Sequence, residues 1–318
     1  MKKSLFLILT LFTAVSVSAQ SRQENYKKAL DLMRDNKDKK AIDHLTKCVS
    51  KDNTHAEYFY LRSTACMNIG DGQGALRDMD FAIKFGPDSA KYYYQRGRIY
   101  LLYRRPSLTI KDANEGLKVS KTPKDSSLLY SVRAKAHQDN FDTTDAERDY
   151  NTAIQVDPNN YAALNDKAMM INGWPGRGQE AINLLWRAAK ADTSFILVYS
   201  NLGFTYAEMN KHDSAIIMYN ECIRRMPNSA YAYSNRSYSK LKIGDLKGAR
   251  EDCEKSIKLN DTNSWAYRNL GLICIAEGNR EAACSAFEKA LLLGFTEQYG
   301  GEVRNLQKQH CKQTLPGN

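Results

Sequence analysis

Residues 196–229 read ILVYSNLGFTYAEMNKHDSAIIMYNECIRRMPNS. One small residue, Gly203, stands in the first half, a second, Ala215, follows twelve positions later, and the stretch closes on the proline turn Met226-Pro227-Asn228. The same plan of about 34 residues runs outward in both directions, from Arg22 to Glu297. It gives eight units, 22–55, 56–89, 90–126, 127–160, 161–195, 196–229, 230–263 and 264–297. A fixed period in this range marks stacked supersecondary units, none of which buries its apolar face alone.

Three columns of small residues carry the reading. The eighth position holds Ala29, Ser63, Gly97, Ala134, Ala168, Gly203, Ser237 and Gly271. The next column runs through Ala41, Ala75, Thr109, Ala146, Ala181, Ala215, Ala249 and Ala283, and a third from Cys48 to Ala290. Small side chains let two helix backbones approach, so the columns mark helix crossings. Gly70-Asp71, Gly244-Asp245 and Gly278-Asn279 lie between the first two columns and suit a helix C-cap followed by a turn. Proline turns such as Asp157-Pro158-Asn159 end one unit and set up the next.

The quoted unit resembles a tetratricopeptide repeat. It carries that family's Leu-Gly pair (Leu202, Gly203), the first-helix aromatic (Tyr206), the small residue (Ala215), the second-helix aromatic (Tyr219) and the closing proline (Pro227). The resemblance implies an all-α, right-handed superhelical solenoid of about eight helix-turn-helix units, with a capping helix and tail over 298–318. It also implies a non-catalytic protein-interaction scaffold with no cofactor. Unit three departs from the pattern in Lys121–Ser126, read as a lengthened connection, and unit five in the expanded turn Gly173–Gly178.

Residues 1–19 read differently. Lys2 and Lys3 precede an apolar run from Leu5 to Val17 that ends in Val17-Ser18-Ala19. This is the form of a cleavable export signal cut after Ala19, too short to span a bilayer comfortably. The ending resembles secreted proteins of Bacteroidota-type bacteria, and the expected location is the periplasm or outside the cell, with no transmembrane segment after cleavage. The chain has 46 Lys and Arg against 36 Asp and Glu, a net charge of +10. The bases mostly interleave with acids, as in Arg250-Glu251-Asp252, and solvated helix faces explain most of them, with short clusters left at Lys37–Lys40, Arg96–Arg105 and Arg224-Arg225. No cluster has the aromatic interleaving of a nucleic-acid platform, and no nucleic-acid partner is expected.

Catalytic constellations are poor. The five histidines are scattered, Gly-x-Ser-x-Gly is absent, and Gly70, Gly72 and Gly74 follow a helix where a phosphate cradle needs a strand. Seven cysteines show no metal-ligand spacing, so no metal site is expected. Cys48, Cys66, Cys222, Cys253 and Cys274 fall on packed positions and read as buried thiols. Cys284 and Cys311 form a candidate disulfide, implied by the similar ending of exported bacterial repeat proteins.

In the family's geometry the first helix of each unit lines the inner groove. Units six to eight then present Asn201, Asn235 and Asn269 at the sixth position, a ladder of amides suited to an extended peptide. Tyr231, Trp265, Phe204, Tyr238 and Arg268 surround them. Asparagine at this position is also common across the family whether or not a peptide binds. A second, more basic groove over units two to four holds Tyr60, Tyr94, Arg98 and Lys135. The expected ligand is a protein partner. A carbohydrate-binding accessory protein, using the same aromatics and asparagines on a glycan, is the alternative.

Overall fold

A computed structural model describes residues 20–311. The export signal read over 1–19, and the end of the tail from 312, lie outside the described residues. Among those described, helices alternate with short turns and no strand occurs. The chain divides into two compact units at Ala163/Leu164. The first holds α1 (residues 20–34), α2 (Asp38–Lys51), α3 (Ala56–Asn68), α4 (Gly72–Phe85), α5 (Ala90–Leu102), α6 (Pro106–Val119), α7 (Pro123–Asp139) and α8 (Thr143–Val156). The division falls within α9 (Tyr161–Ile171). The second unit continues with α10 (Gly178–Ala191), α11 (Leu197–Glu208), α12 (His212–Arg225), α13 (Ala230–Lys242), α14 (Leu246–Leu259), α15 (Ser264–Ala276) and α16 (Arg280–Leu292). Two short helices follow, α17 (Phe295–Tyr299) and α18 (Glu302–His310).

The described hairpins turn by one mechanism, except that of α9 and α10, whose expanded turn lacks it. The first helix closes with a left-handed residue, as at Gly70, Gly244 and Gly278, and the next amide reaches back one full turn, Asp71 N–H to the Cys66 carbonyl at 2.9 Å. That is a Schellman close. The same Asp71 then caps the following helix, its carboxylate accepting from the Gly74 amide at 2.8 Å. Asp142, Asp245 and Asn279 do likewise in their own turns. Arg104 and Phe141 take the left-handed position in two neighbouring hairpins, although their Cβ atoms disfavour it by roughly 1–2 kcal/mol.

The three residues added to the third unit lengthen a helix rather than a connection. Thr122 accepts from the Asp125 amide at 3.0 Å and donates to the Asp125 carboxylate at 2.8 Å. With Pro123 as the first helical residue, this reciprocal cap starts α7 four residues before the repeat boundary.

The small columns lie at the crossings, but not with equal tightness. A Cβ on Gly203 would meet the buried Tyr219 ring at 2.5 Å, and one on Gly271 would collide with the Phe287 ring. At Gly97 the nearest atom would be Thr109 Cγ2 at 3.5 Å, an ordinary contact. Gly203→Ala and Gly271→Ala are therefore expected to destabilise by about 1–3 kcal/mol through overpacking. Gly97→Ala should be neutral or gain up to about 1 kcal/mol of helix propensity. Thermal denaturation of the three variants checks this; equal melting of Gly203→Ala and Gly97→Ala would contradict the packing described.

Four arginines stand apart from the solvated bases. The seventh residue of several hairpins is an arginine that grips a buried aspartate sixteen residues on with both forks. Arg96 donates from Nε and Nη2 to Asp112, both at 2.7 Å, and Arg62, Arg133 and Arg236 hold Asp78, Asp149 and Asp252 in the same way. The remaining Nη1 reaches the second helix of the preceding hairpin: Arg62 to Thr46, Arg96 to Asp80, Arg133 to Asn114, Arg236 to Asn220. Burial opposes the charge on Arg96, but the bonds to Asp112 and Asp80 outweigh it, and its pKa is raised. In the hairpin of α9 and α10 the pair becomes Lys167 with Glu180 at 2.9 Å.

The five cysteines on packed positions are buried free thiols. Burial pushes Cys66 up to about 11 and Cys253 up to about 12. Neither is therefore a thiolate near neutral pH. Cys284 and Cys311 are joined as a disulfide, with Cα atoms 5.7 Å apart. It ties α16 to the residue following α18. Phe295 and Val303, fully buried, pack with Phe287 and seat both short helices against the last hairpin.

Candidate functional site

A cavity of 460 Å³ opens on the first helices of the last three hairpins. From α11 come Phe204, Ala207 and Glu208, from α13 Tyr231, Asn235 and Tyr238, and from α15 Trp265, Arg268 and Asn269. Tyr219 of α12 forms part of the lining, and burial first, then the Glu208 carboxylate, raises its phenol pKa. The cavity thus gathers seven of the eight groove residues expected from the sequence. The exception is Asn201.

The three asparagines are not equivalent. Asn201 donates to the Asn165 side chain at 2.7 Å. Asn269, only 2% exposed, donates to the Ser234 carbonyl at 2.9 Å and to its hydroxyl at 3.3 Å. In each case the amide bridges to the fifth residue of the preceding hairpin. Asn235 has no hydrogen-bond partner among the described residues and lines the cavity. The expected ladder therefore reduces to one unengaged amide between two that hold neighbouring helices together.

Arg268 is a wall residue, not a free cation. It is 7% exposed, with Nη1 on Asn269 at 2.9 Å and Nη2 on Glu302. Its guanidinium stands 4.6 Å from the Tyr238 ring centre and 5.7 Å from that of Trp265. Trp265 is covered in turn by Phe295 and Tyr299, each with its ring centre 4.8 Å away. Tyr299 and Glu302, beyond the repeats, thereby complete the lining. No periodic signal marks them. Glu208 stands at the thirteenth position, an inward-facing one in the family's geometry, and was legible on that ground.

The second expected groove is less complete. Tyr60 and Arg98 line a separate cavity of 380 Å³ with Thr64, Gln95 and Leu102. Tyr94 and Lys135 lie outside its lining. Arg98 stands 5.7 Å from the Tyr94 ring centre, and Lys135 turns to Gln138 and Asp139 on its own helix.

Antiparallel helix pairs of nearly constant length, crossing at small residues and presenting a ring-lined groove, define a helical-hairpin repeat protein. The family pattern described as tetratricopeptide repeat matches residues 197–229, 230–263 and 266–293. Over these residues the chain carries tetratricopeptide repeats. It is 24% identical over 287 residues to the human mitochondrial import receptor subunit TOM70, which covers 86% of this chain. The match takes in 46% of that relative, so the chain spans about half its length. Among solved structures it is similar to a tetratricopeptide repeat protein from Parabacteroides merdae, with a TM-score of 0.59, 18% identity and coverage of 80% of this chain and 98% of that one. It is also similar to the type IV pilus biogenesis factor PilW, with a TM-score of 0.58, 18% identity and coverage of 68% and 97%. No described helix is long and apolar enough to cross a membrane.

Proposed function

We propose that this protein is a non-catalytic interaction scaffold of the bacterial cell envelope, holding a peptide segment or partner domain in the groove of its last three hairpins. The observation that carries the reading is the cavity itself. Exposed rings (Tyr231 at 57%) flank one unengaged amide, Asn235, so apolar side chains and a backbone both find complements there. The envelope location rests on the signal read in residues 1–19. The human relative, named an import receptor subunit, supports a binding role.

In-cell crosslinking followed by affinity purification tests the proposal. A protein partner should be recovered from the parent, and Tyr231→Ala with Asn235→Ala should lower its recovery about tenfold, as loss of two groove contacts predicts. Recovery unchanged by both substitutions would remove the groove from the function. Glycan binding is the competing outcome. Since Trp265 is covered by Phe295 and Tyr299, a sugar would stack on Tyr231 or Phe204.

A further inference from the structure

The charges around the cavity narrow the ligand class; the argument rests on the groove reading above. Three charged side chains line it, Glu208, Arg268 and Glu302. Arg268 is engaged by Glu302 and Asn269, so an incoming carboxylate or phosphate finds no free cation in the lining. Glu208 makes no hydrogen bond or ion pair among the described residues. It is the last residue of α11, where the carbonyl end of the helix adds partial negative charge.

The rings point the same way. An aromatic face attracts cations, most strongly when water is excluded. Arg268 itself shows that these walls accept a guanidinium: it sits over Tyr238 and Trp265, and its buried Nε has no hydrogen-bond partner among the described residues. Lys242 Nζ, 5.2 Å from the Tyr238 ring centre, and His212, edge-on to the same ring, are basic groups that contact Tyr238 from outside the lining. Burial and Lys242 lower the His212 pKa, which leaves it neutral at pH 7. Among the described residues no cation stands over Tyr231, Tyr299 or Phe204, which are the more exposed rings. The chain's overall positive charge acts weakly here, because exposed charges beyond about 8 Å are screened at physiological salt.

We propose that the segment bound in this groove carries a lysine or arginine side chain, with its charge met by Glu208 and its stem laid along Tyr231 and Phe204. A basic segment of a partner protein is the occupant; acidic and purely apolar segments are disfavoured.

Selection of a random dodecapeptide display library on the full exported chain tests this. Binders enriched in Lys or Arg at one position are expected, with affinity falling five- to tenfold in Glu208→Gln and falling as salt is raised. Glu208 is exposed, so the variant should fold, and its circular dichroism and melting are compared with the parent. Binders that are lost with Tyr231→Ala but show no basic enrichment, or prefer acidic residues, overturn this inference and leave the groove reading standing. Basic binders indifferent to Glu208→Gln also overturn it. Failure to select any groove-dependent binder overturns both.

Discussion

Arg96→Leu is expected to destabilise the unit ending at Ala163 by about 3–5 kcal/mol, the cost of stranding a buried partner. Asp112, 3% exposed, would keep its charge with both fork contacts gone, and Asp80 would lose its bond from the preceding hairpin. The pair itself contributes far less than this. Desolvation offsets most of its attraction, so Arg96→Leu with Asp112→Leu should recover much of the loss. Urea denaturation of the single and double variants measures both. A single variant that unfolds with the parent would mean that water reaches Asp112 freely and the column is ornamental.

Replacing Cys284 and Cys311 together by serine should cost about 3.5 kcal/mol at the C-terminal end, from the chain entropy of a loop with sequence separation 27. Hairpin repeats couple chiefly to their neighbours, so the loss should appear as faster amide exchange over 295–311 and α15, with little change before Ala163. The parent, denatured without reductant, should titrate as five thiols. Seven thiols, or exchange unaltered in the variant, would show that the last two helices stay docked without the link. If the link holds them, the variant should also lose groove binding, because Tyr299 and Glu302 are lining residues.

Much of the fold was legible because its determinants are local. Gly70-Asp71 states both the end of one helix and the cap of the next within two residues. The cap Thr122-Pro123-Lys124-Asp125 was equally local, but repeat length made it look like a loop. The arginine column left a sequence signal that charge balance conceals: Arg62/Asp78, Arg96/Asp112, Arg133/Asp149 and Arg236/Asp252 share one spacing. In the site, helix position sufficed to bring Phe204, Tyr231 and Trp265 to one cavity. It did not foretell that Asn269 is engaged by Ser234, since that contact belongs to a neighbouring hairpin. Tyr299 and Glu302 follow the last repeat, where no period constrains them.

The arginine column also acts as a connector standard. A hairpin with arginine at its seventh position, aspartate at its twenty-third and an acceptor at its twenty-fifth plugs into any predecessor that offers that acceptor. Cutting out residues 90–126 would set Arg133 against Asp80 in place of Asn114, an equally good mate. The shortened chain should therefore still unfold cooperatively by circular dichroism, whereas the same deletion combined with Asp80→Leu should not. The hairpin of α9 and α10, with Lys167 on Glu180, does not share that plug. Gene duplication could copy or drop the earlier modules without rewriting their neighbours, and would meet its first barrier there.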